Sequence, residues 1–81
     1  MPSRSELPGN TSRNKLIKAL ERLDFTISTR GGKGSHFKAT YNSNQKMITI
    51  PSDVNQTVLY YVLKEIEIQT GVTWEQIKDN L

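Results

Sequence analysis

The residues of this 81-residue chain that could do chemistry crowd into one stretch, Arg30 to Lys38, which reads RGGKGSHFK. Glycines there let the backbone come close to a ligand and aim successive N–H groups at an anion. Arg30, Lys33 and Lys38 add positive charge, and His36 is the chain's single histidine. An imidazole takes or gives a proton near neutral pH, so the segment holds parts of a phosphate-handling site with a general acid or base. The plain alternative is a glycine-rich hairpin whose histidine and lysines are merely solvated. Other chemistries find less support. There is no P-loop, no G-x-S-x-G elbow, no HExxH and no CxxC. One histidine and no cysteine leave no N/S ligand set for a metal, and no cofactor is expected. Glu65 and Glu67 point to different sides of a helix, so they do not form an acid/base pair.

Composition sets the frame around that segment. A chain of this length is one small domain, expected to be stable by only about 4–12 kcal/mol. Without cysteine it has no disulfide framework. No apolar stretch approaches a membrane span, and the N-terminus lacks the apolar core of a signal peptide. A soluble cytoplasmic protein is expected, rather than a transporter, a multi-domain enzyme or a secreted mini-protein. The net charge of +3 is an average over unlike parts. Residues 12–50 carry eight bases (Arg13, Lys15, Lys18, Arg22, Arg30, Lys33, Lys38, Lys46) against Glu21 and Asp24, and residues 51–81 are net acidic. Such asymmetry suggests a polyanionic partner.

The elements that must position the segment can be read from periodicity. Residues 1–11 hold two prolines and a glycine and read as a flexible tail, leaving 12–81 as a single domain. Thr11 or Ser12 caps a helix over roughly 12–23, with Leu16, Ala19, Leu20 and Leu23 on one stripe. Lys15, Lys18 and Arg22 form a basic ridge on the opposite side, either a solvated face or part of a nucleic-acid footprint. The period then changes to two. Residues 25–29, 36–41 and 46–50 alternate apolar and polar, with Phe37, Ala39 and Tyr41 inward and His36, Lys38 and Thr40 outward. Residues 30–35 and 42–45 are the turns between them, so the three strands form an antiparallel meander with one wet face. A second helix runs from Val54 or Asn55 to Thr70 and stops at Gly71. Leu59, Val62, Leu63, Ile66 and Thr70 make its core stripe; Val58, Tyr61 and Ile68 make a lesser one, interrupted by Glu65. Thr73 and Gln76 form the capping box of a short closing helix whose Trp74 and Ile77 are expected to cover that lesser stripe. The fold class is α+β, an α-β-β-β-α sandwich with the helices on one face of a three-stranded antiparallel sheet.

Arg30-Gly31-Gly32-Lys33-Gly34-Ser35-His36 resembles the K/R-x-x-GSH loop of the HicA family of toxin ribonucleases. A basic helix and a strand precede the motif, while ITIP (residues 48–51) and a long helix follow it, so the resemblance covers roughly residues 12–72. It implies a fold like that of double-stranded-RNA-binding domains. It further implies the toxin of a type II toxin–antitoxin system, an mRNA interferase (a metal-independent endoribonuclease) held inactive by a HicB-type antitoxin. His36 then maps onto the catalytic histidine, with Gly34, Ser35, Lys33, Lys38 and Arg30 around the phosphate and Lys15, Lys18 and Arg22 as further RNA-binding bases. Many members continue the third strand into Pro-x-His, where this chain has Pro51-Ser52-Asp53 and no second imidazole. Two other readings stay open: a non-catalytic RNA-binding module of the same fold, and a divergent member acting only through a protein partner at Tyr60 and Tyr61.

Overall fold

A computed structural model describes residues 2–9, 11–28 and 36–81. The glycine-rich turn, with Arg30, Lys33, Gly34 and Ser35, lies outside the described residues.

Helix α1 spans Arg13–Arg22 and buries Leu16, Ile17, Ala19 and Leu20. Ile17 widens the expected stripe, and Leu23, just past the last turn, is half-buried. Ser12 occupies the N-cap position in extended conformation, yet its side chain makes no capping bond. The chain leaves α1 through Asp24 at φ 74°, a left-handed conformation that side chains other than Gly, Asn and Asp rarely adopt. Asn42 holds it there: its backbone N–H donates to the Asp24 carbonyl at 3.0 Å and its Nδ2 to Asp24 Oδ1 at 3.1 Å.

Three strands follow, β1 (Phe25–Ser28), β2 (Phe37–Tyr41) and β3 (Met47–Ile50), antiparallel and in the order β1-β2-β3. The register sets Ile27 opposite Ala39 and Ala39 opposite Ile48, so the inward residues stack across the sheet. Phe25, Ala39, Ile48 and Ile50 are buried, and the Phe25 and Tyr41 rings meet at 4.9 Å. The β2–β3 turn closes with Gln45 at φ 61°, its N–H bonded to the Tyr41 carbonyl at 2.7 Å. Asn44 Nδ2 ties this turn to the Gln69 carbonyl at 2.9 Å.

Helix α2 covers Gln56–Thr70, starting at Asn55, whose side chain accepts the Val58 N–H, and ending at Gly71 with φ 78°. Leu59, Val62, Leu63 and Ile66 are its buried face, as the periodicity predicts. Helix α3 (Trp74–Asp79) opens with the expected capping box between Thr73 and Gln76. Both helices that flank the sheet in sequence lie on its inner face, α1 against β1 and α2 against β3, which is the α+β arrangement read from the sequence.

Two placements differ from expectation. Helix α3 docks on α1 instead of covering the lesser stripe of α2: Arg22 Nη1 donates to the Asn80 carbonyl at 2.6 Å, and Trp74 and Ile77 are buried. Tyr61 and Ile68 are therefore left 55% and 67% exposed. Glu65 gives the physical reason, since covering that stripe would strip water from its carboxylate. The stretch read as a flexible tail is docked at Leu7, which is buried, with its carbonyl accepting from Gln56 Nε2 at 2.9 Å. A 3₁₀ turn at Arg4–Glu6 precedes it, closed by the Ser3 hydroxyl and N–H on the Glu6 carboxylate, which holds that carboxyl below its ordinary pKa. Burial of Ile77 makes α3 part of the core. Ile77→Ala is expected to cost about 2–5 kcal/mol in urea unfolding, the range for a truncated core isoleucine.

Candidate nucleic-acid interface

The strand alternation that fills the core also builds the outer face of the sheet. Ser28, Lys38 and Thr49 sit opposite one another in one row across the three strands, and Thr26, Thr40 and Met47 in the next. These six residues carry three threonines, a serine, a lysine and one apolar side chain, a polar surface with hydroxyl donors and a single cation. Lys38 and Thr49 are exposed and Ser28 is half-buried. His36 stands two residues before Lys38, immediately ahead of β2, and is exposed. It is not packed into the core, where Ala39 and the ring of Phe37 take the inward side.

Arg13 brings a second cation to the same end. Its guanidinium carbon lies 3.8 Å from the centroid of the Phe37 ring, a stacked cation–π contact on the residue that follows His36. No acid occupies the first turn of α1. Arg13 therefore adds its charge to the positive end of the helix dipole. Sequence reasoning counted Arg13 among the bases but did not assign it to the site. The signal was there: Arg13 precedes Leu16, Ile17 and Leu20 at i+3, i+4 and i+7, so it shares the buried side of the helix and faces the sheet.

The basic ridge of α1 divides differently. Lys15, Lys18 and Arg22 are exposed, and Lys18 lies opposite the buried stripe, pointing away from the sheet. Because α1 covers the inner face, this ridge and the His36–Lys38 face belong to opposite sides of the molecule. Arg22 is further committed to the carbonyl of Asn80. So the structure brings His36, Lys38 and Arg13 to one end of the sheet, and it does not bring Lys15, Lys18 or Arg22 there. Residues 51–53 leave β3 at that same end, since Ile50 pairs with Phe37, and Ser52 and Asp53 are exposed. The remaining site residues of the sequence reading, Arg30, Lys33, Gly34 and Ser35, fall outside the described residues.

A comparison with protein families matches this chain, over residues 13–72, to the HicA toxin of bacterial toxin–antitoxin systems. The match takes in α1, the whole sheet, α2 and Gly71. The chain belongs to the HicA toxin family. No curated protein and no solved structure matches it. Membership makes this chain the toxin of a toxin–antitoxin pair and implies an antitoxin as partner. Helix α3 lies beyond the matched region and is an addition to it. Among the described residues no helix is long and apolar enough to cross a membrane.

The division of the basic ridge can be checked by melting temperature. Arg22→Ala is expected to lower it by several degrees, because Arg22 anchors α3, whereas Lys15→Ala and Lys18→Ala should leave it unchanged. Equal melting of all three variants would return Arg22 to the solvated ridge.

Proposed function

We propose that this HicA-family toxin is an endoribonuclease that cleaves mRNA in the cytoplasm with His36 as general acid/base, and that its antitoxin is of the HicB type. The observation that supports it best is the exposed His36 immediately ahead of β2, two residues from Lys38 and adjacent in sequence to Phe37, on which Arg13 stacks. RNA carries its own nucleophile. His36 accepts the proton of a 2′-hydroxyl as that oxygen attacks the adjacent phosphorus, and the bond to the 5′-oxygen of the next nucleotide breaks. The products are a 2′,3′-cyclic phosphate and a free 5′-hydroxyl, the leaving oxygen taking a proton from solvent or a lysine. Lys38, with Arg30 and Lys33 from the glycine-rich turn, holds the phosphate and stabilises the charge that grows on its oxygens. Arg13 adds a cation at the end of the sheet. Gly34 and Ser35 let the chain approach the phosphate immediately before His36. No metal is needed for this path, because the attacking oxygen belongs to the substrate and the proton moves to an imidazole.

Lys15 and Lys18 contribute by a different route. Facing away from the scissile phosphate, they bind flanking RNA through its charge, an interaction that weakens as salt rises.

The test is cleavage of a single-stranded RNA by antitoxin-free protein in the presence of a chelator. Wild-type toxin should cut the RNA and leave DNA of the same sequence whole, since DNA lacks the 2′-hydroxyl. His36→Ala should lose roughly 10²–10⁴-fold in rate, the usual worth of a positioned acid or base, while RNA binding and folding persist. RNA bound but uncut by the wild type would replace this reading with a non-catalytic RNA-binding module.

A further inference from the structure

The sheet has two edges, and the hydrogen-bond parity of each strand says which main-chain groups point off it. In an antiparallel pair, directly opposed residues alternate between exchanging both N–H···O bonds and exchanging none. The Tyr41 N–H donates to the Lys46 carbonyl at 2.8 Å, so Tyr41–Lys46 is a bonded pair. Two residues on, Ala39–Ile48 is the next, and Phe37–Ile50 the one after. Met47 and Thr49 therefore aim their N–H and C=O groups away from β2, where no further strand follows among the described residues. At the other edge, the bond from the Asn42 N–H to the Asp24 carbonyl sets the opposite parity: there Phe25 and Ile27 point outward with their main chains. Their side chains go into the core, and α1 packs on that strand.

What lies beside the β3 edge distinguishes it further. A groove runs between β3 and α2, lined by Pro51, Val58, Tyr61, Val62 and Glu65 together with β3 itself. Met47 and Tyr61, each 55% exposed, stand on its rim. Helix α3 does not close this side; it is docked on α1.

We infer that the antitoxin inserts an extended strand along the free edge of β3 and seats one apolar side chain in the groove against Tyr61. This inference rests on membership of the toxin family and not on the nuclease reading. Three observations select a strand of that pattern as occupant. The unpaired donors and acceptors of Met47 and Thr49 are met by main chain at strand spacing, which a helix cannot supply. Residues bonded to Met47 and Thr49 send their side chains to the outer face, and the one between them, opposite Ile48, sends its own toward the helices and into the groove. The partner segment therefore reads polar–apolar–polar. Charge completes the pattern: among the described residues Glu65 is the only carboxylate lining the groove and no base lines it, which favours a lysine or arginine at that end of the incoming segment. On the outer face, the residue opposite Thr49 joins the row that runs through Lys38, two strand spacings or about 10 Å from it, where an acid is favoured. A strand so placed extends the sheet on the far side of β3 from the strand that carries Lys38 and follows His36.

The experiment compares the free toxin with its complex with the co-expressed antitoxin. Amide exchange followed by NMR should slow by at least about tenfold at Met47 and Thr49 on complex formation, with smaller changes at Ile48 and Ile50, already bonded to β2. Thr49→Pro removes an edge N–H that the sheet does not use and is tolerated at such positions. It should weaken the complex at least about tenfold, as should Tyr61→Lys through the groove. If Thr49→Pro fails to fold, the exchange data and Tyr61→Lys decide. A complex with unprotected Met47 and Thr49 amides, or with full affinity for Tyr61→Lys, overturns the inference. So does the absence of any complex, or the same protection in a toxin that light scattering shows to be a dimer, which would make a second copy the occupant. No RNA enters these measurements, so the inference and the nuclease reading fail independently.

Discussion

The register of β2 is the constraint on which both faces of this small protein depend. Strand side chains alternate with a period of two, so a slip of one residue would carry Ala39 outward and Lys38 into the core. Nothing inside a five-residue strand forbids such a slip except burial and the turns at its ends. The far end is pinned by short-range geometry: Asp24 and Gln45 in the left-handed region, and Asn42 bonded through its main chain and side chain to Asp24. Burial does the rest, since Ala39 is completely covered between Ile27 and Ile48 on its neighbouring strands. The near end carries His36. Structure is thus specified from the end opposite the histidine.

The same division organises the charges. Of the bases on α1, one is turned toward the sheet and stacked on Phe37, one is bonded to the carbonyl of Asn80, and Lys15 and Lys18 are exposed on a side that does not contain the histidine. Counting them as one patch would overstate the field at His36. At a Debye length of about 8 Å in physiological salt, exposed charges on opposite sides of a domain are largely screened from one another. The local set, Arg13 and Lys38, therefore shapes the field around His36 more than the net charge does.

Local signals in the sequence carried most of the fold. The period-two strands, the Gly71 stop and the Thr73–Gln76 box depend on a few neighbouring residues, and each stands where its pattern placed it. The outward face of Lys38 was legible for the same reason, because alternation alone decides it, and His36, read as the first residue of that strand, stands exposed just ahead of it. What was not legible depends on distant partners. Leu7 looks like an isolated apolar residue among prolines, and only the packing of its segment on α2 explains its burial. Helix α3 has two apolar residues and could have lain on either neighbour; on α1 it buries both and gains a hydrogen bond across 58 residues, a pairing no local pattern announces. Arg13 belongs to both classes, its helical phase readable in advance and its ring partner not.

A domain of this size has few surfaces, and the docking of α3 on α1 decides how they are shared. Had α3 lain on α2, the groove beside β3 would have been narrowed and Tyr61 covered, leaving an edge of bare main chain with no side-chain pocket beside it. Sheets usually protect such an edge with charge, proline or a covering element. Here Pro51 bounds the strand at one end and Lys46 precedes it at the other, while the two residues between with free main-chain groups, Met47 and Thr49, are left uncovered. An uncharged, exposed edge is a liability in a free protein and an asset in one that spends its time bound. A strand supplied by the antitoxin, as inferred above, removes that hazard by pairing the edge.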